Sequence, residues 1–246
     1  MATSKTRLTF GVVLSGCGVR DGSEIHEATL LLLALDRAGV AARCFAPDKP
    51  QARVVDHLTL EARADCRRSV LGESARIARG AIEPLAEIDI DARDGLAFPG
   101  GFGAAMNLSD YGQAGAAMRV DPEVTAAIQA MHFAKKPQGF ICIAPVLAAR
   151  VLGAHRPRLT IGRDAATAAD LESLGARHIE APADGVVVDE DNHLASTPAY
   201  MLATRIGEVA AGIDRLVEVL ADMANRRARQ LGDAPPPGAE RGPRAR

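Results

Sequence analysis

Gly139-Phe140-Ile141-Cys142-Ile143-Ala144-Pro145 sets a thiol between a short apolar run and a segment that reads as a helix. A strand that turns sharply into a helix with a nucleophile at the junction is the elbow geometry, which lifts the reactive atom to the top of a sheet. Aligned backbone dipoles at a helix start favour a thiolate, and a cysteine so placed can titrate at roughly 3.5–7.5 instead of ~8.5. The plainer reading makes Cys142 a small core residue between two isoleucines. A second group is Phe98-Pro99-Gly100-Gly101-Phe102-Gly103. Glycines after a strand let backbone N–H groups come close to a ligand, and the N–H groups near Gly101 and of Ile143 would together form an oxyanion hole. Read alone, the motif is an ordinary turn. The third group is Ser23-Glu24-Ile25-His26-Glu27 at the start of the first helical segment, where Glu24, His26 and Glu27 otherwise read as a solvated helix start.

These groups meet only if the chain folds as a parallel sheet, whose strand C-termini line one crevice. The pattern supports that. Apolar runs at Leu8–Leu14, Val40–Ala46, Gly95–Phe98 and Gln138–Ile141 alternate with helical segments at Glu24–Ala38, Glu61–Arg79, Pro122–Ala134 and Ile143–Leu152. Asp21 or Ser23 can cap the first helix, Asp21 with Glu24 having capping-box spacing, and Gly39 suits the position past its end. Ala28 to Leu35 is apolar on nearly all sides, which predicts burial in the domain or in a subunit interface. Further along, Leu159-Thr160-Ile161 reads as a strand and Ala165–Leu174 as a helix. Val186–Val188 and His193–Thr197 form a late β-hairpin, and Met201–Ala224 a last helix. The expected fold is a flavodoxin-like three-layer α/β sandwich, with a mostly parallel sheet, helices on both faces and the late hairpin. One domain spans 1–225. Residues 226–246, with six Arg, four Pro and a net charge of +4, read as a disordered tail.

Composition narrows the function. The 246 residues are 48% hydrophobic, carry a net charge of −2, hold no Trp and are only 3% aromatic. Nothing there calls for nucleic acid or an anionic membrane as partner. Cys17, Cys44, Cys66 and Cys142 are widely spaced, with no CxxC and no Cys/His cluster, so neither a disulfide framework nor a metal site is expected. No apolar run approaches the roughly 20 residues that span a bilayer. Leu14-Ser15-Gly16-Cys17 looks like a lipoprotein cleavage box, but the run before it is short and contains Thr9 and Gly11, so it is read as the first strand. The expected location is cytoplasmic, with the thiols reduced.

Several segments closely resemble the ElbB family, named for enhancing lycopene (isoprenoid) biosynthesis, in the PfpI-like branch of the class I glutamine amidotransferase-like superfamily. They are Ser15-Gly16-Cys17-Gly18-Val19, Asp21-Gly22-Ser23-Glu24-Ile25-His26-Glu27, Cys44-Phe45-Ala46-Pro47-Asp48-Lys49, Pro99-Gly100-Gly101-Phe102-Gly103-Ala104-Ala105 and Cys142-Ile143-Ala144-Pro145. Leu159-Thr160-Ile161-Gly162, Val187-Val188-Asp189-Glu190-Asp191-Asn192 and Thr197-Pro198-Ala199-Tyr200-Met201-Leu202 extend the likeness over about residues 8–220. The resemblance implies a nucleophile at Cys142, a first-helix glutamate in contact with it, and weak glyoxalase activity without a cofactor. Counting back from Arg37-Ala38-Gly39 puts that glutamate at Glu27 rather than Glu24.

Two departures argue against the commoner chemistries of the superfamily. PfpI-type proteases have His directly after the nucleophile, where this chain has Ile143. Amidotransferases have His-x-Glu after the late hairpin, where this chain has Thr197-Pro198-Ala199-Tyr200. His178-Ile179-Glu180 lies before the hairpin, 36 residues after Cys142, and reads as strand. No histidine is placed as a general base; His26 adjoins Glu27, but helix neighbours point about 100° apart. The expected partner is a small aldehyde or dicarbonyl. Catalysis falls to Cys142 and Glu27, with backbone groups at Gly101 and Ile143; Cys17, Gly100 and His26 are further pocket candidates. The rival reading is a non-enzymatic redox sensor or regulatory binding protein using the same thiol. A homodimer is expected from the apolar first helix.

Overall fold

The computed structural model describes residues 7–232. Strands β1 (Thr9–Val13), β2 (Ala41–Ala46), β3 (Ile82–Pro84), β4 (Gly95–Phe98) and β5 (Gln138–Ile141) alternate with helices α1 (Ile25–Arg37), α2 (Val70–Ile77), α3 (Phe102–Met106), α4 (Tyr111–Ala114) and α5 (Pro122–Phe133). There follow α6 (Pro145–Leu152), β6 (Arg158–Leu159), α7 (Ala165–Ser173), β7 (Arg177–His178), β8 (Val187–Asp189), β9 (Leu194–Thr197) and α8 (Ile206–Gly232). The seven-stranded sheet has the order β3-β2-β1-β4-β5-β9-β8. It is parallel except at β8, which runs antiparallel to β9. This is the flavodoxin-like α/β sandwich with its late hairpin.

Strand alternation sorts the core into two layers. Phe10, Val12, Leu14, Ala97, Ile141 and Ala195 face α1 and α8. Val13, Leu96, Phe98, Phe140 and Leu194 face α5 and α6, with the Phe98 and Phe140 rings stacked at 4.9 Å. The central strands leave little room on either side. A Cβ on Gly139 would lie 2.6 Å from Leu220 of α8.

The chain winds outward from β1 to β3, then returns through β4, β5 and β9 on the other side of β1. The order therefore reverses between β1 and β4. The loops leaving those two strands flank the crevice at the C-terminal edge of the sheet.

Several boundaries differ from expectation, each with a local cause. The helix expected over Glu61–Arg79 is only Val70–Ile77, because Ser69 caps it by accepting the Gly72 N–H. Residues 47–69 instead form an excursion clipped by bridges Pro50↔Ser69 and Val55↔Ala62. Its tip is set by Asp56, which accepts the Leu58 N–H, and by Leu60 at φ 64°. The strand expected at Leu159–Ile161 is Arg158–Leu159 in a separate two-stranded sheet with Arg177–His178. The last helix starts at Ile206 rather than Met201, since Ala199–Met201 forms a 3-10 turn. It also runs past Ala224 to Gly232, so residues 226–232 are helix and not tail. There Arg226 pairs with Glu190, and Arg227 donates to the Ala134 carbonyl. Residues 233–246, the rest of the expected tail, lie outside the described residues.

Packing of α8 on α1 buries Ala28, Leu31, Ala34 and Leu35, which absorbs part of the apolar surface that suggested an interface. Ile25 and Leu33 stay exposed. No helix among the described residues is long and apolar enough to cross a membrane.

Gly139→Ala is expected to destabilise the fold by about 1–3 kcal/mol through overpacking against Leu220. Leu220→Ala alone leaves a cavity and costs about 2–5 kcal/mol. Urea denaturation of the double variant should show less loss than the sum of the two singles.

Candidate active site

Cys142 follows β5 directly, at φ 62°, in the left-handed region that a residue with a side chain seldom adopts. Its N–H donates to the Thr197 carbonyl, and the thiol is buried at 8% exposure. Helix α6 begins three residues later at Pro145, so Cys142 precedes a tight turn rather than sitting at the helix terminus itself. The charge on sulfur is therefore governed by what touches it. Burial first, then the Glu27 carboxyl, disfavours the thiolate, and the backbone N–H groups of Gly101 and Ile143 beside the sulfur offset this only in part. The thiol is pushed well above its ordinary value. The low value expected from a helix dipole is thus corrected.

Glu27 lies on the first turn of α1 and is fully buried. Its Oε2 accepts the Gly100 N–H at 2.9 Å and its Oε1 the Tyr200 N–H at 3.3 Å. The carboxyl also faces the Cys142 thiol across Gly100. Burial first, then the neighbouring Glu24, pushes it up to about 8. Two anions cannot sit together in this space, so the thiol and carboxyl titrate as a pair that holds at least one proton near neutrality.

The glycines are what let this pair form. A Cβ on Gly100 would lie 2.5 Å from Cys142 Cβ and 2.7 Å from Glu27 Oε2. A Cβ on Gly101, at φ 93°, would lie 2.4 Å from both Glu24 N and Gly22 O. The loop after β4 is tied to the loop after β1 by Glu24 N–H to Gly100 O, Gly103 N–H to Gly22 O and Phe102 N–H to Val19 O.

Cys142 opens into a cavity of about 390 Å³ with mainly apolar walls. The walls include Phe102, Met201, Tyr111, Tyr200, Asp164 and Glu24. Of the residues expected at the site, Cys142, Glu27, Gly100, Gly101 and Ile143 are brought together. His26 is exposed and reaches the cavity only through Tyr200, whose hydroxyl lies 2.8 Å from His26 Nδ1. Cys17 is absent from the cavity wall; the charged groups around it are Glu73, Arg76, Asp21 and Arg68, and burial raises its thiol. Glu24 is itself the cap of α1, accepting the Glu27 N–H at 2.7 Å, in place of the expected cap at Asp21 or Ser23. The sequence reading missed Tyr111 and Tyr200 as wall residues, though they are the chain's two tyrosines. Among the described residues no cluster of His, Cys, Asp or Glu could hold a metal ion.

No family model matches the chain. It is 41% identical over 231 residues to the rat ES1 protein homolog, mitochondrial, covering 90% of this chain and 86% of that one. It is 41% identical over 224 residues to the human glutamine amidotransferase-like class 1 domain-containing protein 3, mitochondrial, covering 87% and 83%. The chain belongs to the ES1 family. Among solved structures, an isoprenoid biosynthesis protein with amidotransferase-like domain from Ehrlichia chaffeensis superposes with a TM-score of 0.82 at 36% identity, covering 88% of this chain and 99% of that one. Drosophila melanogaster DJ-1beta, at 17% identity and a TM-score of 0.53, covers 94% and 100% and shares the fold. The mitochondrial names of the ES1 relatives overturn the expected cytoplasmic location. That expectation rested on free thiols and the lack of a membrane-spanning run, neither of which tells one reducing compartment from another.

Raising a carboxyl from 4.5 to about 8 means the fold favours its neutral form. That stability is full below about 4.5, declines as pH rises to about 8, and is level beyond. Urea midpoints measured from pH 5 to 8 should fall for the wild type, by on the order of 2–5 kcal/mol in free energy. They should fall much less for Glu27→Gln, which cannot ionise.

Proposed function

We propose that this ES1-family protein is a cofactor-independent glyoxalase related to the ElbB proteins. The observation that carries the reading is the buried Glu27 carboxyl set against Cys142, with the Gly101 and Ile143 N–H groups beside the sulfur. The likeness to the Ehrlichia protein named for isoprenoid biosynthesis supports the amidotransferase-like superfamily, and the ElbB relation rests on the resemblance of the segments quoted above. The link to isoprenoid flux is part of the same proposal.

The Cys142 thiol adds across one carbonyl of glyoxal. Ionised Glu27 takes the thiol proton and returns it to the new hydroxyl, so that a hemithioacetal forms. The oxyanion that appears in between needs donors close to the sulfur, and the Gly101 and Ile143 N–H groups supply them. Glu27 then removes the hydrogen from the carbon bearing sulfur, giving an enediolate, and delivers that proton to the neighbouring carbon, while the hydroxyl proton of the sulfur-bearing carbon passes, in sum, to the remote oxygen. The product is a thioester of Cys142, and water hydrolyses it to the hydroxy acid and free thiol. The mainly apolar cavity of about 390 Å³ suits a small dicarbonyl. Tyr200, not histidine, follows the late hairpin, and this favours aldehyde chemistry over glutamine hydrolysis.

Purified protein is expected to turn over glyoxal, and Cys142→Ser to abolish turnover. Glu27→Gln should lower kcat by about 10²–10⁴-fold. Because Glu27 must be ionised to accept the thiol proton, kcat/KM should rise with pH through about 8. A thiol that is oxidised but never turns over substrate would establish the sensor reading instead. The homodimer is proposed on the remaining exposed apolar side chains of α1, Ile25 and Leu33, and light scattering at micromolar concentration should give twice the chain mass.

A further inference from the structure

Tyr200 grips two adjacent residues of α1 at once. Its backbone N–H meets Glu27 Oε1 at 3.3 Å, and its hydroxyl lies 2.8 Å from His26 Nδ1. Glu27 is fully buried and His26 is exposed, so the contacts of one residue lead from the interior of the site to solvent. The turn that carries Tyr200 is held in an uncommon conformation, with Ala199 at φ 44°. Tyr200 also forms part of the cavity wall beside Cys142. No histidine contributes to that wall.

We propose that Tyr200 and His26 form a proton relay between the cavity and water, with the Tyr200 hydroxyl as the acid and base at the substrate oxygen remote from sulfur. This rests on the glyoxalase reading above. When Glu27 removes the carbon-bound hydrogen of the hemithioacetal, that electron pair becomes the carbon–carbon double bond. The electrons of the remote carbonyl move onto its oxygen, which takes the proton of the Tyr200 hydroxyl. His26 restores that proton from solvent. In the next step Glu27 gives its proton to the remote carbon, and the hydroxyl on the sulfur-bearing carbon loses its proton through the same relay, leaving the thioester. The sequence is an internal redox reaction and needs no outside oxidant or reductant. The backbone N–H of residue 200 survives in Tyr200→Phe, so that variant tests the hydroxyl without releasing Glu27.

The experiment measures steady-state glyoxal turnover by the full chain as wild type, Tyr200→Phe, His26→Ala and the double variant, against enzyme-free controls. The rate of Cys142 alkylation by iodoacetamide is followed in parallel. Tyr200→Phe is expected to lower kcat by about 10²-fold with KM little changed. His26→Ala should add nothing in the Tyr200→Phe background. Imidazole in solution should restore turnover to His26→Ala but not to Tyr200→Phe, which a purely structural role would not produce. Alkylation should be unchanged in all four proteins. Wild-type turnover with both single variants within about twofold of it, multiplying effects, or no rescue by imidazole overturns the relay and leaves the glyoxalase reading standing. Altered Cys142 alkylation assigns the loss to a disturbed thiol–carboxyl pair and also overturns the relay. Absence of glyoxal turnover in the wild type removes the glyoxalase reading and the relay with it.

Discussion

A thiol and a carboxyl are buried against each other at the C-terminal edge of the sheet, and the surrounding backbone is arranged around the space they need. Gly100 has no room for a Cβ because Cys142 and Glu27 already occupy it. Gly101 has none because the loop after β1 passes directly behind it. A buried carboxyl without partners is costly even when protonated, and Glu27 is met by two backbone donors and by the thiol. Those donors come from loops after β4 and β9, and the thiol from the end of β5. Three strands and one helix must be in register before the carboxyl is satisfied. The site and the stability of this edge of the sheet are consequently one arrangement.

The same arrangement accounts for strain. Cys142 and Ala199 both take left-handed backbone conformations, and both lie where a strand ends at the site. Such residues cost on the order of 1–3 kcal/mol each and persist only where surrounding contacts determine them. The Cys142 N–H is fixed on the Thr197 carbonyl, two residues before Ala199, so the two turns brace each other. Strain here keeps the sulfur toward Gly101 and Ile143 and the Tyr200 N–H toward Glu27.

How much of this could be read from residues alone follows from how local each signal is. β4 and β5 are legible at their observed bounds, since each is an apolar run that ends in a glycine turn or a nucleophile elbow. The family resemblance calls for a first-helix glutamate, counting along that helix selects Glu27 over Glu24, and the structure brings Glu27 to Cys142. The excursion at 47–69 defeated pattern reading because its charged, alanine-containing sequence has helical composition, whereas Ser69, Asp56 and Leu60 impose caps and turns. Glu24 differs from its expected place for a related reason: a glutamate is an unusual cap, and its extended backbone is held by a long-range bond from its N–H to Gly100 O. The direction of the Cys142 shift depends on burial and on a carboxyl 115 positions away in the chain, which helix-dipole reasoning does not contain.

Tyr200 shows what the absence of a histidine after the late hairpin means physically. A histidine side chain there would bring its own base to the nucleophile. A tyrosine brings a weak acid whose phenol is raised further by burial and by Glu24 and Glu27. A phenol of that kind is a poor base toward a thiol, and Cys142 already has a carboxyl for that purpose. It is better suited to donate to an oxygen on which negative charge is developing, provided another group replaces the proton. His26 can do so only because helix geometry turns it away from Glu27 and toward solvent. The 100° between neighbouring residues, which argued against His26 as a direct base, is what lets Glu27 face the sulfur while His26 meets the hydroxyl of Tyr200, as the proposed relay requires.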